Sequence, residues 1–125
     1  MSVAAAHASA FYSEVARSGI VWAIRDQQGY PAPAGSGGAR AMPFWSLQSR
    51  ADKVIESVPD YAGFVPVSIL WQEFCDHWIP GLVADGLLVG LNWSGARATG
   101  YDVPPADVGR GVDLFREGGD GQESF

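Results

Sequence analysis

The chain has 125 residues, of which 47% are hydrophobic and 18% are charged, a composition typical of one globular domain that needs no metal or disulfide for its core. Its net charge is −6, which argues against a basic nucleic-acid-binding face. No apolar run approaches the roughly 18 residues that span a bilayer, and the first residues lack the basic start of a signal peptide. We therefore expect a cytoplasmic protein without membrane contact.

The first predicted elements are a helix and a strand. Apolar residues recur at helical spacing over residues 3–17, which predicts a helix, and Gly19 is suited to end it. The following run, residues 20–24, is apolar on both faces, as in a strand that is covered on both sides.

A loop rich in glycine and proline leads to a second strand, predicted over residues 39–45. No helix intervenes, so we expect the two strands to pair as a hairpin. Ser46 is predicted to be the N-cap of a second helix, which Pro59 ends.

The second half of the chain alternates strands and helices. A third strand is predicted over residues 64–69, and Pro66 indicates either an edge position or a strand that starts after it. A third helix follows to Gly86, with an interruption at Pro80 because proline lacks the N–H of a regular helix. Strands over residues 87–93 and 98–102 and a final helix over 106–115 complete the prediction.

This order predicts an α+β fold, with a four- to five-stranded mixed sheet and about four packed helices in a single domain. The domain is expected to cover residues 1–117. Residues 118–125 are acidic and contain glycine, so they are expected to form a frayed tail.

Several short aromatic motifs mark the chain over about residues 11–105. They are Phe11-Tyr12, Val21-Trp22, Met42-Pro43-Phe44-Trp45-Ser46 and Asn92-Trp93-Ser94-Gly95. In these motifs the chain resembles a bacterial family of short standalone proteins of unknown function, and the resemblance implies no activity. The order of strands and helices is also similar to the N-terminal domain of serine-sensitivity-enhancer proteins, a fold-level likeness that implies no function.

No catalytic or metal-binding pattern stands out. Cys75 and His77 are two apart on one helix and do not face each other, so Cys75 is expected to be an inert core thiol. Two histidines and one cysteine do not make the usual zinc ligand set. The loop 35–38 lacks the lysine and following helix of a phosphate-binding loop. We therefore expect no catalytic residue, no metal and no cofactor.

Polar and aromatic residues do collect at two predicted strand ends. If the second and fourth strands are parallel, these ends lie at one edge of the sheet, where clefts are common. Such a cleft suits a peptide or a small anionic ligand. The alternative is that both tryptophans pack in the core or at its rim and the asparagine serves the following turn. The candidate binding residues are Trp45, Arg50, Asn92, Trp93 and Arg97.

Two functional hypotheses follow. The first is a non-enzymatic protein-binding or regulatory module, immunity-like in role, with a protein partner and an oligomeric state that the sequence leaves open. The alternative is a small-molecule-binding protein or enzyme that uses the cleft near Trp45 and Trp93. A large flat apolar patch would favour the first hypothesis, and an enclosed pocket with converging polar groups would favour the second.

Overall fold

The computed structural model describes residues 3–34, 38–95 and 99–123. Its helices are α1 (Val3–Ser18), α2 (Gln48–Ser57), α3 (residues 71–84) and α4 (Pro105–Glu123). Its strands are β1 (Ile20–Arg25), β2 (Ala41–Phe44), β3 (Val65–Leu70), β4 (Leu88–Ser94) and β5 (Thr99–Val103), and a short 3-10 turn covers Pro59–Tyr61. The α+β class is as the sequence predicted. The bounds differ most in α4, whose backbone continues eight residues beyond the predicted end at Phe115.

Two sheets share one backbone contact. β1 pairs with β3 in an antiparallel ladder, while β4 pairs in parallel with β2 and antiparallel with β5. Trp22 and Trp45 join the sheets through two backbone hydrogen bonds, with N–O distances of 2.7 and 2.8 Å. Among the described residues β3 pairs with β1 alone, so Pro66 lies on an edge strand, and the strand begins before it, at Val65.

The predicted hairpin between β1 and β2 is wrong beyond that single bridge. N–H groups of alternate residues point to the same side of a strand. The backbone N–H of Trp45 points to β1 and donates to the carbonyl of Trp22. The N–H two residues earlier would also point to β1, but that residue is Pro43, and proline has no N–H. β1 therefore forms its ladder with β3 instead.

Helix α3 contains the interruption that Pro80 predicted. It is built of three consecutive segments: Trp71–Glu73, a π-helical segment Phe74–Trp78, and Ile79–Ala84. The N–H of Ile79 donates to the carbonyl of Phe74, five residues back. This wider π-helical turn comes just before Pro80, which has no N–H to donate in a regular helical hydrogen bond.

The core has two parts. The first is formed by α1, α3, α4 and residues of both sheets, and the second lies beneath α2. The first includes Phe11, Val15, Phe44 and Phe74, and the second includes Trp45, Val54 and Trp93. Within the residues that the structure describes, no helix is long and apolar enough to cross a membrane. Helix α2 and the carboxyl ends of β2 and β4 border the candidate site described next.

Candidate functional site

The carboxyl ends of β2 and β4 meet at one edge of their sheet. Phe44 stands opposite Leu91 in the parallel register, so the residues that follow them are neighbours. The indole Nε1 of Trp45 donates to the backbone carbonyl of Trp93 over 2.8 Å. The condition set by the sequence is met, because β2 and β4 are parallel and the two tryptophans are neighbours.

Asn92 has an unusual backbone conformation at this edge. Its φ is +51°, and it is the one residue other than glycine with a positive φ among the described residues. Its Oδ1 accepts the backbone N–H of Ser46 over 3.0 Å, and its Nδ2 donates to the Ser46 hydroxyl, also over 3.0 Å. Asn92 is 3% exposed, and its side chain connects the end of β4 to the segment that follows β2.

The prediction that Ser46 is the N-cap of α2 is wrong. The N-cap of α2 is Leu47, and its side chain makes no capping hydrogen bond. The Ser46 hydroxyl instead donates to Glu14 Oε1 of helix α1 over 2.5 Å. A partner on another element therefore replaces the local cap that the sequence suggested.

Glu14 holds Arg50 in a two-pronged ion pair. Arg50 Nε donates to Glu14 Oε1 over 3.0 Å, and Nη2 donates to Oε2 over 2.9 Å. Such paired bonds fix the plane of the guanidinium as well as its position. The network from α1 through Ser46 to α2 and β4 thus orients the Arg50 side chain.

The charge state of Glu14 follows from this network. Burial is the largest single influence and raises its pKa, but hydrogen bonds from Arg50 and Ser46, together with the charges of Arg50 and Arg17, outweigh it. The net effect holds the pKa of Glu14 below its ordinary value of 4.5. The carboxylate is therefore ionised at neutral pH and fully able to accept these bonds.

Trp93 lies on an unexpected side of its strand. Regular alternation would place Gly90 and Trp93 on opposite faces of β4, yet a Cβ on Gly90 would lie 2.4 Å from the Trp93 ring. A register irregularity between Leu91 and Ser94 shifts the alternation. The indole Nε1 then donates to Asp102 Oδ1 of β5 over 2.8 Å.

A cleft of about 540 Å³ opens beside this network. Helix α1 contributes His7, and the end of β4 together with the residue after it contributes residues 92–95. Helix α2 contributes Arg50, Lys53, Val54 and Ser57, whose spacing puts them on one helical face. The cleft therefore has two main walls, the face of α2 that carries Arg50 and Lys53 and the irregular end of β4.

A family model described as a protein of unknown function, DUF2750, matches residues 8–110. The chain belongs to the DUF2750 family. Comparison with curated proteins gave no match. The matched range of the DUF2750 domain includes Glu14, α2 and all of β4, and His7 lies one residue before it. The likeness to serine-sensitivity-enhancer domains stays a prediction.

The DUF2750 domain brings three of the five candidate residues into the cleft: Arg50, Asn92 and Trp93. Trp45 has no exposed surface and does not line the cleft. Its indole N–H donates a hydrogen bond to the backbone carbonyl of Trp93. Arg97 lies outside the described residues. Sequence reasoning missed Lys53, although its spacing of three from Arg50 on a predicted helix would have indicated the shared face.

Cys75 and His77 do not line the cleft, and residues 35–37 of the glycine-rich loop lie outside the described residues. Cys75 is partly exposed and packs beside the core of the DUF2750 domain. Burial raises the pKa of its thiol, and the nearby carboxylates of Asp113 and Asp76 raise it further. Across residues 3–34, 38–95 and 99–123, no group of three or more His, Cys, Asp or Glu side chains is placed to hold a metal ion.

Proposed function

We propose that this domain is a small-molecule-binding protein whose ligand occupies the cleft between α1, α2 and the end of β4. The observation that carries the proposal is the cleft itself, at about 540 Å³ with polar and apolar groups on its wall. Ligand sites in proteins are typically concave, about 300–1,000 Å³ in volume, and combine apolar surface with a few placed polar groups.

The rigidity of the polar wall supports binding. Arg50 is held by two bonds to Glu14, and Asn92 is held by two bonds to Ser46. Side chains that are already oriented lose less entropy when a ligand arrives, so more of the interaction energy contributes to affinity. Side chains that neighbouring residues hold in position by hydrogen bonds are expected at a binding site.

The Ser46 hydroxyl favours a binding role over a catalytic one. Ser46 is only 1% exposed, and its hydroxyl donates to the Glu14 carboxylate. A serine nucleophile must instead reach the substrate. The Ser46–Glu14 pair therefore suits a structural hydrogen bond that positions Arg50.

A role as a protein-binding module stays a hypothesis. Large exposed apolar side chains occur on β3, α3 and α4, for example Leu70, Val83 and Leu114. Single exposed apolar residues are normal on protein surfaces. The cleft is the more specific feature, so it carries the proposal.

Thermal-shift screening of a small-molecule fragment library, followed by NMR mapping of the hits, tests the proposal. We expect hits that shift the backbone amide signals of Ser94 and Gly95. Ser57→Trp should fill the cleft and remove their binding, whereas Ser49→Trp makes the same change at an exposed α2 position outside the cleft. Hits that map elsewhere, or that bind both variants equally well, would contradict the proposal.

A further inference from the structure

The charge of the cleft is opposite to that of the whole chain. The chain has 14 acidic and 8 basic residues. The described residues that line the cleft nevertheless include the basic residues Arg50 and Lys53 and no aspartate or glutamate. From this contrast, and resting on the proposed function, we infer that the ligand carries an oxyanion, a carboxylate or a phosphate, which binds between Lys53 and Arg50.

Arg50 keeps donors for such a group. An arginine side chain has five N–H donors. Two of them serve Glu14, so three remain, and they belong to a guanidinium whose plane is already set. Planar donor groups of this kind match the oxygens of carboxylates and phosphates.

Lys53 supplies the positive charge that Glu14 does not neutralise. It is the one lysine of the sequence and lies one helical turn after Arg50. The ion pairs between described residues are Arg50–Glu14 and Arg110–Asp107, so Lys53 is in neither. Its ammonium group has three N–H donors, and an oxyanion beside Arg50 would lie within the same cleft.

The wall of the cleft indicates the rest of the ligand. His7 also lines the cleft, while its Nδ1 is itself buried and has no hydrogen-bond partner among the described residues. Val54 and Trp93 line the same cleft, so we expect an apolar or planar body next to the oxyanion.

Three related probes test the inference: phenylacetate, phenyl phosphate and the uncharged phenylacetamide. Each is titrated into the full chain, and NMR shifts of the Ser94 and Gly95 amides report occupancy of the cleft. We expect at least one anion to bind about tenfold more tightly than the amide, because charge-assisted hydrogen bonds are the stronger ones. The preferred anion distinguishes a carboxylate from a phosphate ligand.

Two variants control for overall charge. Lys53→Gln should weaken binding of the anion about tenfold. Arg116→Gln changes the net charge equally at an exposed α4 position outside the cleft and should leave the Kd unchanged. Equal binding of amide and anion, or equal affinities of the two variants, would overturn the inference. Failure of both anions while library fragments still bind in the cleft would reject the oxyanion and keep the proposed function.

Discussion

Glu14→Gln is the most informative change in the network. The Glu14 carboxylate accepts hydrogen bonds from Ser46 and from two nitrogens of Arg50. Glutamine has nearly the same shape but only one oxygen, so its amide N–H₂ group replaces an acceptor. A donor would then face a donor of Arg50 or Ser46, and the attraction between opposite charges would be lost.

The size of the effect follows from exposure. Buried hydrogen bonds to a charged group contribute about 1.5–3 kcal/mol each, but the Arg50 side chain is 38% exposed and exposed pairs contribute only about 0–1 kcal/mol. The Ser46 bond is partly buried, since the Glu14 side chain is 21% exposed, and it keeps a value near the lower end of the buried range. Together these terms give a loss of about 2 kcal/mol. With an unfolding entropy of about 2.1 cal/mol/K per residue, the Tm should fall by about 8 °C.

The pH dependence gives a sharper test than the magnitude. Because folding lowers the pKa of Glu14 from its ordinary value of 4.5, the unfolded chain takes up this proton more readily than the folded chain. The stabilisation is therefore complete above about pH 4.5 and is lost as the pH falls through the lowered pKa of the folded state. The difference between wild type and Glu14→Gln should shrink over the same range.

Urea denaturation from about pH 7 to about pH 3 measures this difference. Glu56→Gln is the matched control, since Glu56 is exposed on α2 and no hydrogen bond or ion pair is found for it among the described residues. It should leave the free energy of unfolding within about 0.5 kcal/mol of wild type. A Glu14→Gln effect that equals the Glu56→Gln effect, or that stays constant down to about pH 3, would refute the reasoning.

Three further changes test other parts of the structure. Gly90→Ala should destabilise by about 1–3 kcal/mol and weaken fragment binding, because its Cβ meets the Trp93 ring; urea denaturation compares it with Gly81→Ala, which meets no atom within 4 Å. Cys75 should react with a maleimide more slowly than in the urea-unfolded chain, because its thiol pKa is raised; equal rates would contradict this. Truncation before Gly118 should keep the Tm within a few degrees by calorimetry, and loss of cooperative unfolding would show that the tail is needed.

Local pattern was enough to predict most elements of the fold. Helical spacing of apolar residues located α1 and α2, and Gly19 does end the first helix, with a φ of +73°. The cleft was predicted on the condition that the second and fourth strands are parallel, and β2 and β4 do pair in parallel. Their pairing brings together the strand ends that border the cleft.

Contacts between distant residues were beyond the sequence patterns. Ser46 has the position of a helix cap, and only the packing of α1 over the sheet brings Glu14, 32 residues away, within reach of its hydroxyl. The hairpin failed for a related reason. Loop length permitted it, but the missing N–H of Pro43 left β1 and β2 with a single bridge.

Asn92 links the fold to the candidate site. A positive φ at a residue other than glycine costs about 1–3 kcal/mol unless its surroundings stabilise it, and here the bonds to Ser46 offset that cost. The conformation lies within the register irregularity of β4 that puts the Trp93 ring over Gly90 and lets its carbonyl accept from Trp45. A straight β4 would send the indole to the opposite face of the sheet, beside α1 and α4, and α2 would lose its contact with Trp93 but keep Trp45. The conformation of Asn92 therefore shapes the strand-end wall of the cleft, next to the wall that Arg50 and Lys53 of α2 provide.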